Sequence, residues 1–84
     1  MSLVVLTAAL MSDDVVYTLP RPARHSDVMK IMPPGEALRA KQGFVLSDGR
    51  FVDRQYAAEI ATAAGQILPG RVVRARTLTS EEVW

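Results

Sequence analysis

Gln42–Gln66 reads QGFVLSDGRFVDRQYAAEIATAAGQ, and its punctuation decides the fold. Gly43-Phe44-Val45-Leu46-Ser47 has the β-branched and aromatic content of a strand. Ser47-Asp48-Gly49-Arg50 is hairpin chemistry, because Asp-Gly tolerates the positive φ angles of a tight turn. Phe51-Val52 returns as a short strand. Asp53 then caps a helix over Arg54–Ala64, its carboxylate accepting from free N–H groups of the first turn. Tyr56, Ala57, Ile60, Ala61 and Ala64 fall on one stripe, with Arg54, Gln55, Glu59 and Thr62 mostly opposite. Small alanines let that helix approach a sheet closely, and Gly65 supplies its C-terminal turn.

Upstream, Leu3–Leu10 is short, apolar and without polar alternation, the pattern of a strand covered on both faces. Ser12-Asp13-Asp14 is a turn, and Val15–Leu19 pairs back as a second strand until Pro20 and Pro22 stop it. Ser26 is a candidate N-cap for a short helix through Met32, with Asp27 in its first turn and Pro33-Pro34-Gly35 as its stop. Glu36–Lys41 is open between a loop and one helical turn. Downstream, Pro69-Gly70 is a turn and Arg71–Thr77 alternates as a strand. The tail predicts one turn from Thr79 or Ser80, docked by Val83 and Trp84. The order is ββαββαβ. The fold class is α+β, a small mainly antiparallel β-sheet with two short helices, in a single domain spanning 1–84.

The totals exclude more than they assign. The chain has 84 residues and no cysteine, so neither disulfides nor thiolate metal sites staple it. A single histidine argues against structural zinc, and no cofactor is expected. The net charge of +1, from 10 basic and 9 acidic residues, makes DNA or RNA an unexpected partner. No apolar run approaches the ~20 residues of a membrane span. Leu3–Leu10 lacks a basic leader and is followed by Asp13-Asp14, so no secretory signal is expected and the cytoplasm is. With 49% apolar residues in so short a chain, a homo-oligomer is expected, since copies complete each other's cores.

Several side chains have both a structural and a functional reading. His25-Ser26-Asp27 holds the residue types of a hydrolytic triad, but neighbours at a helix start do not face each other, so a cap with a nearby histidine is preferred. Arg24 and His25 follow a proline-bounded loop and precede a helix, which suits an anion site or ordinary surface groups. Asp53 is a helix cap or, facing a pocket, an acceptor for a hydroxyl or amino group. Arg54, mildly disfavoured in a first helical turn, is a solvated residue or a phosphate ligand. Phe44 and Phe51 lie seven apart across the turn; alternation commits at least one to the core and leaves the other for stacking on a base. Arg71, Arg74 and Arg76 offer cations. Asp13-Asp14 and Glu81-Glu82 lack the shielding that acid/base chemistry needs, and no phosphate loop or nucleophile elbow is present, so an enzyme is not expected.

Pro22-Ala23-Arg24-His25, Gln42-Gly43-Phe44, Gly49-Arg50-Phe51-Val52-Asp53-Arg54 and Gly65-Gln66 together resemble small phage-encoded proteins, most closely the first type of anti-Thoeris protein. The resemblance covers roughly residues 15–75. It implies a sponge that sequesters cyclic ADP-ribose isomers without cleaving them. In some members it also implies capture of CBASS cyclic trinucleotides at a separate site, on a dimer or a hexamer built as a trimer of dimers. It implies a ligand pocket of Arg24, Phe44, Asp53 and Arg71, two arginines meeting a pyrophosphate, Phe44 stacking on adenine and Asp53 accepting a hydroxyl or amino group. The resemblance also implies an Asn-type residue where this chain has Asp53, so the acceptor is kept and the amide donor lost. The competing expectation is a small phage protein–protein inhibitor that coats a host or defence protein.

Overall fold

The computed structural model describes residues 3–73 and 76–84. Its elements run β1 (Val5–Ser12), β2 (Val15–Thr18), α1 (His25–Ile31), β3 (Lys41–Leu46), β4 (Phe51–Asp53) and α2 (Arg54–Ala63), with a 3-10 turn at Ser80–Glu82. The strands form one antiparallel sheet in the order β2-β1-β3-β4. This is the α+β class that the sequence predicts.

Each hairpin follows from its turn residues. Asp13 and Asp14 both take positive φ (50° and 64°), the two-residue geometry whose twist matches paired strands. Ser12 therefore pairs with Val15. The β3–β4 turn uses Gly49 at φ 89°, and the Asp48 carboxylate braces it by accepting from the Arg50 backbone N–H (3.0 Å) and Nε (2.6 Å).

Both helices lie on the same face of the sheet. Ala8, Phe44, Leu46 and Val52 meet Ala57, Ala58 and Ala61 of α2, joined by Leu78 and Val83 from the tail. One register step along, Leu10 meets Val28 and Met32 from α1. β2 pairs only Ala9–Ser12 of β1, which leaves the β1 backbone at Val5 without a strand on that side. The Gln66 side chain fills the place: its Oε1 accepts from Val5 N (2.7 Å) and its Nε2 donates to Val5 O (2.9 Å). A side-chain amide thus satisfies a strand edge that would otherwise be orphaned.

Three readings need correction. The α1 N-cap is Arg24 rather than Ser26; Asp27, three residues on, accepts from the Arg24 backbone N–H at 2.9 Å, and that reciprocal bond moves the helix start two residues back from the sequence reading. Tyr56 is 39% exposed, because Ala57, Ala58 and Ala61 are the residues that face the sheet. The Arg71–Thr77 strand does not form as predicted: Arg71–Val73 have no regular structure, Arg76 has φ 57°, and Thr77 makes an isolated bridge. A left-handed residue interrupts the extended path that a strand requires. Arg74 and Ala75 lie outside the described residues. Glu36–Lys41, open in the sequence, resolves as successive turns held by Glu36 N→Pro33 O and Arg39 N→Glu36 O before β3 begins at Lys41.

Candidate functional site

The six candidate residues divide among four places. Phe44 and His25 are in the interior. Phe44 has no exposed surface, and His25 and Trp84 approach its ring in T-shaped geometry, with centroids 5.0 and 6.1 Å away. The ring therefore has no face for an adenine, a correction to the stacking role, and its work is packing. Alternation along β3 is the cause: Phe44 points to the helical face with Leu46. His25 Nε2 lies 2.8 Å from the Gly43 carbonyl, a bond in which the ring nitrogen donates. Burial lowers its pKa below 6.5; the Gly43 bond opposes that shift and the Arg54 guanidinium adds to it.

Arg24 anchors the tail. Its Nη2 donates to the Trp84 carbonyl at 2.7 Å, while the Trp84 indole donates to Ala23 O at 3.1 Å. Arg21 stands 5.6 Å from the Trp84 ring centroid, a cation–π distance. The proline-bounded loop thus clasps Trp84, and the guanidinium is engaged within the fold.

Arg54 and Arg71 come together. They line a groove of about 430 Å³ with Thr77, Thr79, Glu81 and Glu82. Arg54 is held there because Asp53 caps α2 through Tyr56 N (2.7 Å), fixing the first turn, and because Leu78 N donates to the Arg54 carbonyl (3.0 Å). Among the described residues its guanidinium has only long contacts with neutral acceptors, Gln42 Oε1 and Thr77 Oγ1, each at 3.4 Å, and its buried Nε has no partner there. Among the described residues neither Arg54 nor Arg71 makes an ion pair. Glu82 is committed to the tail, its Oε1 accepting from the Thr79 backbone N–H at 2.7 Å. Glu81 is exposed.

Asp53 faces a different groove, about 690 Å³, with Tyr56, Glu59, Thr62 and Arg76. The sequence reading missed Tyr56 and the 77–82 wall; Thr79 and Glu82, spaced as a capping box, were the available signal for that wall. Among the described residues no cluster of His, Cys, Asp or Glu could hold a metal ion, and no helix is long and apolar enough to cross a membrane.

A family profile described as "Phage T4 y16D protein" matches residues 4–84. The chain belongs to this phage protein family. The y16D match takes in both helices, all four strands and the tail that closes the arginine groove. No curated protein and no solved structure matches the chain.

Proposed function

We propose that this y16D-family protein is a phage anti-defence sponge, which captures a cyclic nucleotide immune signal in the host cytoplasm and withholds it from its effector without breaking a bond. The ligand class is a cyclic ADP-ribose isomer, with CBASS cyclic trinucleotides as further candidates. The observation that carries the reading is the shared groove of Arg54 and Arg71, two guanidinium groups without ion pairs among the described residues. Guanidinium forks suit a pyrophosphate. Thr79 and the exposed Glu81 stand beside them to meet ribose hydroxyls. Relative to the resemblance, the site keeps Arg71, replaces Arg24 by Arg54 and does without Phe44 and Asp53. Capture rather than turnover is favoured because the sole histidine is committed to the Gly43 carbonyl inside the protein.

The test is to mix protein and cyclic ADP-ribose isomers, measure binding by calorimetry, then heat-denature and chromatograph the released ligand. Intact ligand is expected. Arg54→Ala and Arg71→Ala should each weaken binding roughly 10–100-fold, from about 1.5–3 kcal/mol per charge-assisted hydrogen bond. A chemically altered ligand, or no binding of any cyclic nucleotide, refutes the reading. The latter result promotes the protein-inhibitor alternative, which draws on the apolar Leu38, 93% exposed on the Pro33–Ala40 turns, and Ile31, 52% exposed at the end of α1.

A further inference from the structure

The groove of about 690 Å³ that holds Asp53 has one wall made by helix periodicity. Gln55, Ala58, Glu59 and Thr62 recur at i, i+3, i+4 and i+7, so they share one face of α2. Val73 and Arg76 line the groove from the chain after α2. Tyr56 is its aromatic side chain, 39% exposed and in neither hydrophobic core cluster. The Tyr56 backbone is fixed by its bond to Asp53 (2.7 Å), and Arg50, braced by Asp48, engages its side chain. By contrast, the groove that holds Arg54 and Arg71 has no aromatic lining among the described residues. The two grooves meet along two pairs of consecutive residues: Asp53 and Arg76 line one, Arg54 and Thr77 the other. Consecutive Cα atoms are about 3.8 Å apart, so the ridge between the grooves is one residue wide.

We infer that the Asp53–Tyr56 groove is the base subsite for a nucleotide whose pyrophosphate lies on Arg54 and Arg71, and that the moiety it takes is a purine carrying an exocyclic amino group. The inference rests on the nucleotide reading and adds the half of the ligand that the arginine groove leaves unmet. Charge sorts the two halves. Arg54 and Arg71 draw the phosphates. The second groove carries Asp53 and Glu59 against Arg76, a net negative lining that turns phosphate away and accepts N–H donors. Asp53 spends Oδ1 on the helix cap, and the exposed Glu59 makes no ion pair among the described residues. Both carboxylates therefore have oxygens for an amino group. Tyr56 offers a ring for the base to stack on, and the exposed Arg76 supplies a planar guanidinium in the same groove. Tyr56 thus takes the stacking role that its interior position denies to Phe44, and Asp53 returns to the ligand on the other side of the ridge. The volume suits one small-molecule moiety, since such sites run to about 300–1,000 Å³.

Calorimetry of the full chain with cyclic ADP-ribose isomers, and separately with inorganic pyrophosphate, tests it. Tyr56→Leu should weaken cyclic ADP-ribose binding roughly 5–100-fold, the loss of one base–aromatic stack, and leave pyrophosphate binding as in the wild type. Tyr56→Phe keeps the ring and should recover most of the affinity. Asp53 accepts from the Tyr56 backbone, so these variants keep the helix cap. Glu59→Gln, on the exposed side of α2, is a second variant that leaves the core untouched, and should weaken the same nucleotide roughly 3–10-fold. Nucleotide binding that Tyr56→Leu and Glu59→Gln leave at wild-type strength overturns this inference while the sponge reading stands. An equal loss for nucleotide and pyrophosphate in Tyr56→Leu also overturns it, because the ring would then act only by positioning Arg54. A wild type that binds no cyclic nucleotide overturns both.

Discussion

Gly43→Ala is the sharpest test of how the sheet is packed. Gly43 pairs with Ala9 on one side and Asp53 on the other, so it sits in the middle of the sheet and is buried. A methyl group there would lie 2.5 Å from Phe51 Cζ and 2.9 Å from Phe51 Cε2, and closer still to the Val52 carbonyl oxygen. The ring can rotate aside, but the backbone oxygen cannot. Overpacking of this kind costs about 1–3 kcal/mol, and the fixed obstacle puts it at the upper end. The reduced entropy of the unfolded chain offsets about 0.4–1 kcal/mol. A net loss of about 2 kcal/mol in a domain of this size lowers the melting temperature by roughly 8–16 °C. Thermal unfolding by circular dichroism, with urea midpoints at fixed temperature, measures it. Gly49→Ala is the contrast, with nothing within 4 Å but φ at 89°, so its cost of about 1 kcal/mol is conformational alone. Combining Gly43→Ala with Phe51→Ala removes the ring contact and leaves the carbonyl contact, so the double variant stays below Phe51→Ala. A Gly43→Ala protein melting within about 2 °C of wild type would refute the close approach of β4 and Phe51 to β3.

Two further outcomes are expected. His25 is kept neutral because burial lowers its folded pKa below the ordinary 6.5, so the stability it contributes is complete above that value and is lost as pH falls through the folded pKa. Urea midpoints at about pH 7 and about pH 5 should show the decline, and His25→Gln should flatten it at the cost of a lower starting stability. Gln66→Ala leaves the Val5 N–H and C=O without partners and should cost about 1–3 kcal/mol, with faster hydrogen exchange at Val5; Gln66→Glu, which keeps an acceptor and loses the donor, should fall between.

The elements with local signals were legible in the sequence. Asp48-Gly49 marked a turn because positive φ is a property of the residue itself, and Asp53 marked a helix start because a carboxylate finds its N–H partner three residues away. The turn at Ser80–Glu82, with Val83 and Trp84 docked on the core, was legible for the same reason. The Arg24 cap was missed because Ser26 and Asp27 offer competing caps, and the choice rests on a bond from Asp27 back to Arg24. The candidate site was half legible. Arg54 and Arg71 were both singled out, but nothing local says that the tail brings them to one groove while Trp84 takes Arg24 away from it.

The sequence by itself determined the class of fold, its hairpins, its second helix and its tail turn, since each depends on contacts within a few residues. Only the tertiary structure decided which phenylalanine is interior. Phe44 and Phe51 sit on opposite sides of the same hairpin, and their fates depend on which face α1 and α2 cover. That choice is made by long-range packing, in which Ala57, Ala58 and Ala61 bury Phe44 and leave Phe51 lying across Gly43 on the open side. It puts the Phe51 ring on the face of the sheet opposite α1 and α2 and leaves Phe44 no part in the groove lined by Arg54 and Arg71.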